Sequence, residues 1–196
     1  LAKAAAAGYA AAIAAQRDSR LPLADETPSR RAERQLRVAF MFRAAVANDV
    51  AALERSGAAE LVREPDEFGR QALAAAAGSG SSVALAWLLR AGADANAADS
   101  FGSTALMATV RHRDVAGARA LIAAGARVDA VDLAGRTALM HASWADSPDV
   151  LAALLDAGAA PELADSRGWT ALDVAIQRER TAAATLLRQR GAPARL

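Results

Sequence analysis

Two histidines, His112 and His141, and four evenly spaced aspartates, Asp66, Asp99, Asp132 and Asp165, are the residues whose types could do chemistry. A histidine can serve as a general base for a hydroxyl nucleophile, but only with the nucleophile beside it and a third group to orient the ring. Histidine also ligates metals, where several donors must converge. The two histidines sit at different points of the chain's pattern, one near the end of a helical run and one inside another, and there is no cysteine to join them. The aspartates form a ladder of carboxylates. Acid–base work needs two carboxylates close together, whereas these four each open a polar turn and are spread along the chain. The glycines near them do not make the GxxxxGK phosphate loop. The residues therefore point to no catalytic site, no metal site and no cofactor.

What the aspartates do mark is a period. Each lies 33 residues from the next. Gly69, Gly102, Gly135 and Gly168 keep that step, as do Leu73, Leu106, Leu139 and Leu172. So do Leu88, Leu121, Leu154 and Leu187, and Gly92, Gly125, Gly158 and Gly191. Self-similarity at a fixed step of about 20–50 residues is the signature of a stacked array. The clearest unit runs from Asp99 to Val131. It opens with the turn Asp99-Ser100-Phe101-Gly102, continues in a short helix to Val110, breaks at 111–113, and closes with a helix over 114–123 ended by Gly125. Two helices this short cannot bury their apolar faces alone and need copies of themselves on either side.

Each residue type has a mechanical role. The aspartate can accept hydrogen bonds from backbone N–H groups two residues on. The following glycine supplies a positive φ. Thr104, Thr137 and Thr170 can cap the inner helix. Asp114, Ser147 before Pro148, and Thr181 are the expected caps of the second helices, and Gly92, Gly125 and Gly158 end them. Leu88-Leu89, Leu121-Ile122 and Leu154-Leu155 are expected to form a continuous core, with Trp87 packed against it. Arg188 takes the second leucine's place in the last copy, as suits an end that faces water.

The four copies read DEFGRQALAAA…LLRAGADAN, DSFGSTALMAT…LIAAGARVD, DLAGRTALMHA…LLDAGAAPE and DSRGWTALDVA…LLRQRGA. In this pattern the chain resembles the ankyrin-repeat family, over residues 66–192, about two thirds of its length. The resemblance implies an all-α solenoid of helix–turn–helix units, with repeats at 66–98, 99–131, 132–164 and 165–196. Residues 33–65 are a degenerate first repeat, and residues 1–32 an alanine-rich helix and connector. The family's Pro-Leu-His is Ala-Leu followed by Ala74, Met107, Met140 or Asp173 here. The hydrogen-bond network carried by that histidine is therefore expected to be missing, with stacking resting more on apolar packing.

Upstream, Thr27-Pro28 is a helix start, with threonine as N-cap and proline at the first helical position. That helix is expected to run to about Ala47, with Asp49 capping a short second helix that Gly57 closes. Tyr9 and Ile13 put one apolar stripe on the alanine-rich run, which is expected to dock as a cap on the array. Lys3 and the alanines after it have the layout of a signal peptide, but alanine makes a poor apolar centre. The absent initiator methionine points to a trimmed or processed product.

Net charge is +1 over 196 residues, so no global field draws the chain to nucleic acid or membrane. No stretch has the length and apolarity of a membrane span. Function then rests on surface. The resemblance implies that partners meet the turn tips and the exposed side of the inner helices. The residues there are Phe68, Arg70, Phe101, Arg111, His112, Arg136, Trp144, Arg167, Trp169 and Arg178, a set rich in the side chains that anchor interfaces. The expectation is a non-catalytic protein-binding module, monomeric and cytoplasmic (alternatively periplasmic or secreted), whose partner has an acidic, partly apolar surface. The Ala- and Arg-rich composition hints at a bacterial source with a GC-rich genome. The alternatives are a nucleic-acid binder using the same arginines and aromatics, or a regulatory, immunity-type repeat protein.

Overall fold

The computed structural model describes residues 27–194. The expected cap formed by the alanine-rich run lies outside them. Among the described residues the chain is a row of antiparallel helix pairs. These are α1 (Pro28–Val46) with α2 (Val50–Arg55), α3 (Ala72–Ala77) with α4 (Ser82–Arg90), α5 (Ala105–Thr109) with α6 (Val115–Ala123), α7 (Ala138–Ala145) with α8 (Pro148–Asp156), and α9 (Ala171–Gln177) with α10 (Thr181–Gln189). Short 3₁₀ turns at Ala58–Glu60 and Val110–His112 complete the described helical elements. The helix starting at Pro28 crosses the expected boundary between residues 32 and 33.

Local chemistry sets these ends. Thr27 accepts from Arg30 N, and Asp49 from Ala52 N. Thr104, Thr137 and Thr170 accept from Met107, Met140 and Asp173 N, each satisfying one of the donors a helix leaves free at its start. Asp114 caps α6 through Gly117 N. Two expected caps differ. Ser147 flanks α8 with Pro148 at the first helical position, but its hydroxyl makes no cap bond. Thr181 is the first residue of α10, and Arg180 stands at the cap position.

Each turn aspartate pins its own turn. Asp66 Oδ1 accepts from Phe68 N and Arg70 N, both at 2.9 Å. Asp99, Asp132 and Asp165 repeat the pattern with the residues two and four further on. Gly102 shows why glycine follows. Its φ is +75°, and a Cβ there would lie 3.0 Å from Leu133 N, in the next turn. Gly135 meets Ser166 N at the same distance, whereas Gly168, in the last described turn, has nothing within 4 Å.

The leucine register is the core. Leu88, Leu121, Leu154 and Leu187 are fully buried, as are Leu73, Leu106, Leu139 and Leu172 to within 2%. Leu89, Ile122 and Leu155 are only partly buried and pack on the core from its edge, together with Trp87. Met107 and Met140, at the family's histidine position, are buried in it. Apolar packing does not act alone, however. A backbone ladder joins successive turns: Ser100 N donates to Phe68 O, Leu133 N to Phe101 O, and Ser166 N to Ala134 O, at 3.0–3.1 Å. A second row joins the repeat ends, where Arg127 N donates to Asn96 Oδ1 and Ala160 N to Asp129 Oδ1. In the last repeat Asp173 replaces the histidine by closing a capping box with Thr170.

Candidate interaction surface

The ladder fixes the order of the turn tips. Phe68 and Phe101 each give their carbonyl to the next tip, so the tips stand side by side along one edge. Phe68 and Phe101 are 50% and 66% exposed there. Arg70, Arg136 and Arg167 are on the same tips, but their charge is already engaged. Arg70 Nη2 lies 2.7 Å from Asp66 Oδ2, and Arg136 and Arg167 pair with Asp132 and Asp165 at 2.8 Å. Arg167 also covers the half-buried ring of Trp169, with its guanidinium carbon 4.1 Å from the centroid. Arg70 stands 5.4 Å from the Phe68 ring in the same manner. The turn carboxylate thus holds two backbone amides on one oxygen and a guanidinium on the other. An arginine two or four residues after each turn aspartate is the sequence signal of this arrangement.

The second repeat breaks the rule. Ser103 stands where Arg70 and Arg136 stand, and Asp99 receives only the two amides. Its Oδ2 has no partner among the described residues.

A second row follows the inner-helix ends. Arg111 and His112 are exposed on the 3₁₀ turn after α5, Trp144 is 45% exposed on α7, and Arg178 lies after α9. Arg178 stacks on Trp144, its guanidinium carbon 3.3 Å from the ring centroid. Arg180 Nε donates to Trp144 O and Arg113 Nη2 to Ala145 O, which tie neighbouring repeats together at this level. Arg70 and Arg111 meet across a groove of about 470 Å³ between the two rows.

One interaction escapes sequence reasoning. His141 Nε2 lies 3.1 Å from Asp132 Oδ2, beside Arg136. Burial pushes the Asp132 carboxyl pKa up, but the hydrogen bonds from His141 and then Arg136, with the Arg136 charge, outweigh it and hold the pKa at about 2. His141 stands one residue past the family's histidine position, so the motif carried no signal for it. Among the described residues no three His, Asp or Glu side chains group as metal ligands, and no described helix is long and apolar enough to cross a membrane.

A tandem array of turn-and-helix-pair units with one side-chain-rich face is a repeat protein of the ankyrin kind. A family model described as "Ankyrin repeats (3 copies)" matches residues 41–132, 73–165 and 119–195, and the chain belongs to the ankyrin-repeat family. The match begins inside α1, so it takes in part of the first helix pair. No curated protein matches the chain. Ankyrin repeats are generally protein–protein interaction modules and are typically non-enzymatic.

Proposed function

We propose that this chain is a non-catalytic module that binds another protein through its turn tips and inner-helix face. The observation that carries this reading is where large apolar side chains are left in water. Phe68, Phe101, Leu133, Trp144 and Ile176 are exposed on tips and inner helices, against Val83 alone on the outer helices α4, α6, α8 and α10. Exposed apolar surface gathered on one face marks an interaction site. On the same face Arg111 and Arg178, which make no ion pair among the described residues, favour a partner with an acidic, partly apolar surface and would act mainly on the association rate. The chain is read as a monomer from a GC-rich bacterial source, working in the cytoplasm. The alanine-rich run is read as a cap on the N-terminal part of the array.

Affinity capture from the native cell, followed by binding measurements on Trp144→Ala and Trp169→Ala, tests the reading. Both variants should fold and lose at least about tenfold in affinity, as interface anchors do. Arg119→Ala, on the outer helix α6, should not. The reading fails if no captured partner depends on either tryptophan. A nucleic-acid partner would instead show binding that weakens steeply with salt.

A further inference from the structure

The groove between the two rows is left by a gap in side chains. Its floor is Ala74, Ala75 and Gly78 of the first full repeat, with Ala108 of the second. Register comparison shows what is missing. The place of Gly78 is taken by Arg111, Trp144 and Gln177 in the later repeats, and that of Ala75 by Ala108, His141 and Val174. Where the third repeat builds outward with Trp144, the first stops at the backbone.

The walls are chemically distinct. Along one side α1 presents Phe42, which is half-buried, and Val46, which is 48% exposed. Arg43 stands between them and Arg111 lines the groove from the second repeat. Neither guanidinium has an ion pair or hydrogen bond among the described residues, unlike the tip arginines. Asp99 also lines the groove, with the free Oδ2 described above. The site therefore offers apolar surface, two unpaired cations and one unpaired acceptor.

We propose that this groove binds an extended acidic peptide segment of another protein. A carboxylate side chain of the peptide sits on Arg43 and Arg111, and a neighbouring apolar side chain lies on Phe42 and Val46. Asp99 Oδ2 accepts a backbone N–H of the segment. The idea rests on the protein-binding reading and narrows it to one place and one ligand chemistry. Charge complementarity selects the occupant. Guanidinium groups match carboxylates in planar, bidentate geometry. A polyphosphate backbone has neither an N–H to donate to Asp99 Oδ2 nor an apolar side chain for Phe42 and Val46.

The test is selection of a random-sequence peptide display library on the full 196-residue chain, followed by binding of the enriched peptides to variants. Enriched peptides should carry Asp or Glu next to an aliphatic or aromatic residue. Gly78→Trp fills the floor. The Gly78 φ of −71° is open to any residue and later repeats carry long side chains there, while a Cβ would stand 3.2 Å from Ala74 O, so the variant's fold is checked by thermal unfolding. Gly78→Trp and Arg111→Glu should each weaken binding about tenfold or more, and Arg119→Ala should leave it unchanged. Replacing the peptide's acidic residue by lysine should restore binding to Arg111→Glu. If Gly78→Trp melts early, Arg111→Glu and the charge swap decide. The proposal is overturned if nothing is enriched, if the enriched peptides lack acidic residues, or if both variants bind like wild type. Peptides lost on Trp144→Ala but kept by Gly78→Trp would overturn the groove and leave the broader protein-binding reading standing.

Discussion

His141 Nε2 rests 3.1 Å from Asp132 Oδ2, and this contact sets the third turn apart from the other three. The equivalent residues are Ala75, Ala108 and Val174, none of which can reach a carboxylate. Because the Asp132 pKa is lowered from 3.8 to about 2, the carboxylate stabilises the fold at any pH above its ordinary value and loses that contribution as pH falls toward 2. The shift corresponds to roughly 2 kcal/mol, about half of it gone by pH 3. Asp132→Asn should therefore cost on the order of 1–2 kcal/mol at pH 6 by denaturant unfolding, and less at pH 3. His141→Ala should raise the Asp132 pKa, read by NMR titration. A stability gap that does not change with pH would show that the pair is not the source of the shift.

The link between each helix pair stores a strain that can be removed. Asn48, Arg113, Asp146 and Glu179 take φ of 59°, 51°, 50° and 57°, at the register where the first full repeat has Gly80 at 68°. The left-handed region suits glycine, is tolerated by Asn and Asp, and penalises longer side chains. Glu179→Gly should stabilise the fold by about 0.5–1 kcal/mol. Gly80→Ala should cost at least about 1 kcal/mol, from strain plus its close approach to the His112 ring. Chemical denaturation of the two variants checks both signs, and a destabilised Glu179→Gly would refute the account.

Arg178 over Trp144 joins the third and fourth repeats, and a double-mutant cycle on the pair isolates it. An exposed cation–π contact contributes about 0.5–1 kcal/mol. A coupling energy of that size is expected from the unfolding of Trp144→Ala, Arg178→Ala and the double variant. A value indistinguishable from zero would mean that the stacking contributes nothing in solution.

At the other end, Leu36 and Phe40 on α1 are 72% and 46% exposed. On the proposal that the alanine-rich run caps the array, removing residues 1–26, which leaves Thr27 as the cap of α1, should lower the melting temperature and increase binding of a hydrophobic dye. Leu36→Ser with Phe40→Ser in the shortened chain should abolish the extra dye signal. An unchanged melting temperature would identify the segment as a tail.

Ser147 tests the capping account directly. Its Oγ is buried without a hydrogen-bond partner among the described residues. Ser147→Ala should be neutral or mildly stabilising, since it removes a desolvated hydroxyl, while Asp114→Ala should cost about 1 kcal/mol. Equal losses in thermal unfolding would contradict the difference between the two positions.

The repeat register, the turn aspartates, the threonine caps and the leucine core were legible in the residues alone. These features are local. Asp66 reaches amides two and four residues away, Thr104 reaches three, and the chain states this chemistry again every 33 residues. The same reading placed Ser147 and Thr181 as caps, because a hydroxyl near a helix start is a statistical preference; in the structure Ser147 makes no cap bond and Thr181 lies one residue inside the helix. It also took Arg70, Arg136 and Arg167 as partner-binding residues without using their spacing from the turn aspartates, whose second oxygens hold them. Tertiary structure alone decided what depends on two repeats at once. The backbone ladder between tips, the His141–Asp132 pair beside Arg136, and the groove where α1 stands across from α3 and α5 all arise between elements. A one-dimensional period specifies each unit and its neighbour. Which side chains then meet, and where a missing one leaves space, is settled by packing the units against each other.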